Sequence, residues 1–188
     1  MNLIKVLFII LILLTPVTTL HLEPISYVPI EKENVMIEKN QLRNLIERVL
    51  DEIGLYSEEA VELLMLTCAV ESKLGTYIRQ VRGPARGIFQ IEPNTNKDMW
   101  ENYLKFKPEL VEKIKMVSGK DESCLLSLEG NIIYGICMAR VYYLRVPTPL
   151  PNINMISAMA QYWKKHYNTY LGAGTIDKAI YAYESYAV

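Results

Sequence analysis

Apolar positions along the chain fall in helical register over most of its length. From Leu42 they recur at Leu45, Ile46, Val49, Leu50 and Ile53, the 3,1,3,1,3 spacing of an amphipathic helix that Gly54 ends. Ser57 reads as the N-cap of a second helix, with Glu58 and Glu59 in its favourable first turn. Val61, Leu64, Met65, Cys68 and Ala69 form that helix's stripe, and Gly75 stops it. The stretch RGPARGIFQIEPNT (residues 82–95) is rich in breakers and predicts a loop or short strand. Asn94 or Thr95 can cap the next helix, which carries Met99, Trp100, Tyr103 and Leu104 as far as Pro108. A short helix over Glu109–Met116 follows, then one long apolar segment from Leu125 to Val146, closed by Pro147, Pro149 and Pro151. Two last helices, Asn154–Leu171 and Thr175–Tyr186, flank Gly172-Ala173-Gly174. No segment repeats another and no alternating run predicts a strand, so the expected fold class is mostly α.

The first twenty residues stand apart from this pattern. Val6–Leu14 reads VLFIILILL, nine apolar residues without a break. At the per-residue cost of membrane insertion such a run favours the bilayer by about 3–6 kcal/mol. Lys5 before it and Glu23 after it predict a cytoplasmic N-terminus with the remainder exported. Pro16 shortens the span, and Thr18-Thr19-Leu20 lacks the small-x-small pattern of a cleavage site, which favours a retained anchor over a signal peptide. Residues 21–40 contain Pro24, Pro29 and EKEN and read as a tether. Fully extended, that tether reaches at most about 66–72 Å. The expected layout is a membrane segment at 1–20, the tether at 21–40 and a single domain at 41–188.

Composition narrows the function. The 188 residues are 51% hydrophobic, enough to bury one core, and 20 Lys+Arg against 21 Asp+Glu leave a net charge of -1. A nucleic-acid partner, which calls for a basic excess, is therefore not expected. With 9 Gly and 9 Pro the chain is neither a linker nor a collagen-like repeat. Its 3 cysteines (Cys68, Cys124, Cys137) are odd in number and widely spaced, and only 2 histidines, His21 and His166, accompany them. No C-x-x-C zinc site is available, and no cofactor is called for. Cys68 and Cys137 read as small buried hydrophobes and Cys124 as a free thiol, so no disulfide is required.

The candidate chemistry sits where the second helix ends. Glu71 follows Cys68, Ala69 and Val70 and precedes Leu74, so its carboxyl is partly desolvated beside a negative helix C-terminus. Both effects favour the protonated form that a general acid needs near neutral pH. Glu71 opens the run ESKLG (Glu71–Gly75), and GPARGIFQIEPNT (Gly83–Thr95) follows it.

These two motifs, in this order and spacing, resemble the catalytic core of lytic transglycosylases of the soluble, goose-lysozyme-like class. NIIYGICMARVYYL (Asn131–Leu144) is similar to that family's third segment, and the likeness covers about Leu64–Leu144. The resemblance implies a lysozyme-like domain with a short loop or β element after the catalytic helix. It implies that Glu71 is the acid/base and that Ser72 is the hydroxyl beside it. Gly87, Ile88, Phe89 and Gln90 correspond to the family's Gly-hydrophobic-hydrophobic-Gln turn, with Gln90 lining the sugar cleft. Pro93 and Thr95 correspond to its Pro-x-Thr, and Asn131 to the Asn that opens the third segment, where a plain helix cap is the competing reading. The fourth motif, Ala-Tyr-Asn-Ala-Gly, is not preserved. Ala160-Gln161-Tyr162-Trp163 is the nearest match, which makes Tyr162 the preferred residue and Trp163 a replacement for Asn; Tyr167-Asn168 is the second option.

The acid content bears on the reaction. Between Gly75 and Glu92 there is no Asp or Glu, only Arg79, Arg82 and Arg86. A hydrolysing lysozyme usually sets a second carboxylate roughly 5–9.5 Å from the acid. A lytic transglycosylase works with one, closing a 1,6-anhydro ring with the sugar's own hydroxyl. The expected function is thus cleavage of peptidoglycan strands at the β-1,4 MurNAc–GlcNAc bond, by an exported or membrane-anchored enzyme. A phage virion component that opens the wall during genome delivery is favoured, with other virion or envelope proteins as neighbours. A hydrolysing goose-type lysozyme and a non-catalytic lysozyme-like binding protein are the alternatives.

Overall fold

The computed structural model describes residues 37–188 with the exception of Leu171. The expected membrane segment and most of the expected tether lie outside the described residues. Among the described residues no helix is long and apolar enough to cross a membrane. The fold is mostly α: eight α-helices and no strand among the described residues.

Helix α1 (Lys39–Glu52) starts earlier than the apolar pattern predicted, inside the last residues assigned to the tether. Glu38 is the cause, because its carboxylate accepts the Asn40 and Gln41 amides at 3.0 and 2.8 Å. Helix α2 (Glu58–Ser72) is capped as expected by Ser57, whose hydroxyl accepts the Ala60 amide at 3.1 Å. Its buried surface is wider than the predicted stripe. Leu63, Leu66 and Thr67 are as inaccessible as Leu64 and Met65, so α2 is covered on nearly every side. It is the central rod of the domain, packed against α1 and three later helices.

Residues 76–92 form a loop held by two isolated β-bridges, Arg79 with Arg86 and Arg86 with Ile91. Helix α3 (Pro93–Asn102) begins at Pro93, with Glu92 as N-cap, not at Asn94 or Thr95. Proline at the first position has its φ pre-set and loses no helical hydrogen bond there. A 3₁₀ turn (Leu104–Phe106) leads into α4 (Pro108–Ser118), which the left-handed Gly119 ends.

The single long segment expected over 125–146 is two helices, α5 (Leu125–Gly130) and α6 (Ile132–Leu144). Asn131 breaks them: its backbone is extended, its side-chain oxygen accepts the Tyr134 amide at 3.0 Å, and its amide donates to the Ser118 carbonyl at 3.0 Å. The helix expected over 154–171 is also shorter. Helix α7 (Ile156–Trp163) passes into a π turn (Lys164–Asn168). Helix α8 (Ile176–Tyr186) lies where the last helix was expected, with Thr175 as its N-cap.

The side chains of α2 and α6 meet through buried hydroxyls. Thr67 Oγ1 donates to the Leu63 carbonyl at 2.7 Å and stands 2.7 Å from the Tyr143 hydroxyl. At the other end of α6, Trp100 Nε1 donates to the Tyr134 hydroxyl at 2.9 Å, and that hydroxyl donates to Asn96 Oδ1 at 3.0 Å. All three cysteines are free; Cys68 and Cys137 are buried thiols, pushed up to about 12 by desolvation.

Candidate active site

Helix α2 stops abruptly after Ser72. Lys73, Leu74 and Gly75 all take left-handed backbone conformations (φ 51, 49 and 85°), and the Lys73 and Leu74 amides return to the Ala69 and Cys68 carbonyls. Ser72 braces this reversal. Its hydroxyl donates to the Cys68 carbonyl at 3.0 Å and accepts the Gly75 amide at 2.9 Å. Glu71 is thereby held on the last turn of the buried rod.

Its carboxyl opens on a cleft of about 870 Å³, lined by α2, the 76–92 loop, α6, the π turn and α8. Burial pushes the Glu71 carboxyl from the usual 4.5 up to about 7. One hydrogen bond opposes that shift: the Trp163 indole Nε1 donates to Glu71 Oε1 at 3.0 Å. At neutral pH the group is poised between acid and base, the condition for proton transfer in both directions.

The loop is built to approach the cleft closely. Gly87 sits at φ +74°, and a Cβ there would lie 1.9 Å from the Leu128 carbonyl oxygen, so only glycine fits. Gln90, itself left-handed at φ 49°, lines the cleft while its amide nitrogen donates to the Gly87 and Tyr77 carbonyls at 2.7 and 3.2 Å. Phe89 points inward to the core, facing Gly135 of α6. Its carbonyl accepts the Tyr167 hydroxyl at 2.8 Å, which ties the loop to the π turn.

The predicted residues thus divide. Glu71 and Gln90 line the cleft together; Ser72, Gly87 and Phe89 do not line it and instead brace the helix end and the loop that do. Asn131 caps α6 and does not line the cleft. Tyr162 is outside it too: its hydroxyl donates to the Thr148 carbonyl at 3.0 Å, and its ring packs on Tyr143 and His166. Tyr167 and Asn168, the second option, line the cleft instead. Two of the arginines, Arg79 and Arg86, are loop fasteners. Arg79 pairs with Glu129 at 3.0 Å, and Arg86 lies 3.5 Å from the same carboxylate while its Nη1 donates to the Gly83, Pro84 and Ala85 carbonyls.

The lining residues that were not predicted as such include Trp163, Tyr142, Lys178 and Tyr181. Burial raises the Tyr142 phenol, and the charges of Glu71 and Glu92 add to the rise. Glu92 is exposed at the lip of the cleft. The π turn behind Trp163 is closed by Lys164, whose ammonium donates to Asn168 Oδ1 at 2.8 Å, the Thr169 carbonyl at 2.8 Å and the Gly172 carbonyl at 2.9 Å. Among the described residues no group of three His, Cys, Asp or Glu side chains is arranged to hold a metal ion.

Compared with protein-family models, with curated proteins and with solved structures, the chain matches none.

Proposed function

We propose that the chain is a peptidoglycan lytic transglycosylase in which Glu71 acts first as acid and then as base. One observation carries the reading: a single carboxyl, raised to about 7 by burial, stands at the end of a buried helix on the wall of an open cleft. In the first step Glu71 gives its proton to the glycosidic oxygen as the C1–O4 bond of a β-1,4 MurNAc–GlcNAc link breaks. In the second it takes the proton of the MurNAc 6-hydroxyl as the C1–O6 bond forms. No water is consumed, and the product carries a 1,6-anhydro end. The motif likeness around Glu71–Gly75 and Gly83–Thr95 and the cleft-lining position of Gln90 support the same assignment. The apolar run at Val6–Leu14 supports an exported or membrane-anchored enzyme, and local wall opening by a phage particle is the setting we favour.

A hydrolysing lysozyme is the second reading, favoured by one feature: Glu92 lines the same cleft as Glu71. Mass spectrometry of muropeptides released from purified sacculi separates the two. Anhydro ends support the lytic reaction, reducing ends (heavier by one water) the hydrolytic one, and release of neither would leave a binding protein.

A further inference from the structure

Glu71 Oε1 receives the Trp163 indole N–H at 3.0 Å, and among the described residues Oε2 makes no hydrogen bond. An indole N–H donates and never accepts. It therefore pairs best with whichever carboxyl oxygen lacks the proton. In the neutral acid that is the carbonyl-type oxygen, so Oε1 is the carbonyl and the proton rides on Oε2. In the carboxylate left after transfer, the same donor stabilises the charge.

The indole is not free to turn away. Trp163 is 1% exposed, and a Cβ built on Gly174 would stand 2.5 Å from its Cη2 atom. Gly174 thus lies against the far edge of the ring, where a side chain would collide with it. The ring is set between that glycine and the carboxyl.

From this geometry we infer that Trp163, seated against Gly174, is a positioning residue that fixes which oxygen of Glu71 carries and delivers the proton. The inference rests on the acid/base role proposed for Glu71, yet its physical core concerns the carboxyl itself. Other charged or titratable groups surround that carboxyl: Cys68 on α2, Lys73 just past its end, Tyr142 and Tyr143 on α6, Tyr167 on the π turn, Lys178 on α8, and Glu92 on the loop. None of these makes a hydrogen bond to Glu71 among the described residues, so Trp163 is the one contact whose loss should act directly.

The test is an NMR titration of the Glu71 side-chain carboxyl in the full chain, selectively ¹³C-labelled, for four proteins: the parent, Trp163→Phe, Gly174→Ala and Trp100→Phe. Phenylalanine keeps an aromatic ring, though a smaller one, and removes the donor; the alanine methyl displaces the indole and keeps the donor. Either change removes a hydrogen bond that favours the ionised form, so the Glu71 midpoint should rise by about one pH unit. Trp100→Phe, which loses an indole bond to Tyr134 elsewhere, should leave the midpoint in place. An unchanged or lowered midpoint in Trp163→Phe, or in Gly174→Ala should Trp163→Phe not fold, overturns the inference. So does an equal rise in Trp100→Phe, which would mean a general loosening. Muropeptide release by the parent is scored separately. If the parent releases none, the lytic reading falls whatever the titration shows. If it releases them while the Trp163→Phe midpoint stays put, only the role of Trp163 falls.

Discussion

Helices α2 and α6 are both buried on nearly every side, yet they treat their polar groups in opposite ways. On α6 the Tyr134 hydroxyl accepts from Trp100 and donates to Asn96, and the Tyr143 hydroxyl meets Thr67. Each of these hydroxyls is neutral and paired. On α2 the hydroxyls of Thr67 and Ser72 are equally satisfied, but Glu71 receives one hydrogen bond for a group that welcomes several. Leaving a carboxyl half-paired in a desolvated place raises its pKa and costs stability whenever it ionises. That cost is consistent with the proton-transfer role proposed for Glu71.

The sharpest break in the comparison is chemical. Glu71→Gln should lower wall degradation by about 10²–10⁴-fold, the usual worth of a positioned general acid. Turbidity loss of purified sacculi reads it, and a variant keeping half the parent's rate would remove Glu71 from the reaction.

The next effect is on stability. Because the folded-state pKa of Glu71, about 7, lies above its ordinary 4.5, the fold prefers the neutral acid. The stability this provides is whole below the ordinary value and is lost as pH rises through about 7. Glu71→Gln has nothing to ionise. It should melt like the parent near pH 4 and above the parent at pH 8, by about 3 kcal/mol at most. Equal pH dependence of melting in the two proteins would contradict the burial assigned to this carboxyl.

On α6 the expected result is the reverse, stability without chemistry. Tyr134→Phe strands the Trp100 N–H and one acceptor of Asn96 in the core and should cost about 1–3 kcal/mol. The Glu71 titration and the rate per folded molecule should not change. Denaturant unfolding alongside the activity assay would show it.

The smallest effect concerns the thiols. Cys68 and Cys137, one on each helix, are both reduced, so reductant should leave melting temperature and activity unchanged. A fall of several degrees on reduction would show a disulfide between the two rods.

Much of this contrast was legible in the chain. Ser57 and Gly54 mark helix ends because capping is local chemistry, readable within a few residues. Glu71 stood out because a charge inside an apolar helix is a local anomaly. Two features escaped for physical reasons. The Gly130–Asn131 break lies in a mainly apolar segment, interrupted at this point by Ser127, Glu129, Gly130 and Asn131, so periodicity alone did not separate α5 from α6, although a breaker followed by a strong cap was the available hint. Tyr162 was preferred over Tyr167 on its closeness to a motif. The π turn over Lys164–Asn168 changes the number of residues per turn, so the face that a 3.6 count assigns beyond Trp163 is not the face the chain presents. Trp163 itself meets Glu71 across 92 residues of chain, a pairing that no local pattern encodes.

The Lys164 ammonium gathers three oxygens from three directions. In that setting it behaves as a cation coordinated by the chain and covalently owned by it, which no chelator can strip and no dilution can remove. Tolerance at this position should therefore follow coordination geometry more than charge. Arginine, ordinarily the mildest exchange for lysine, offers a flat fork where a tripod is needed. The segment that carries Asn168 to Gly174, and with it the seat of Trp163, hangs on the shape of one ammonium group.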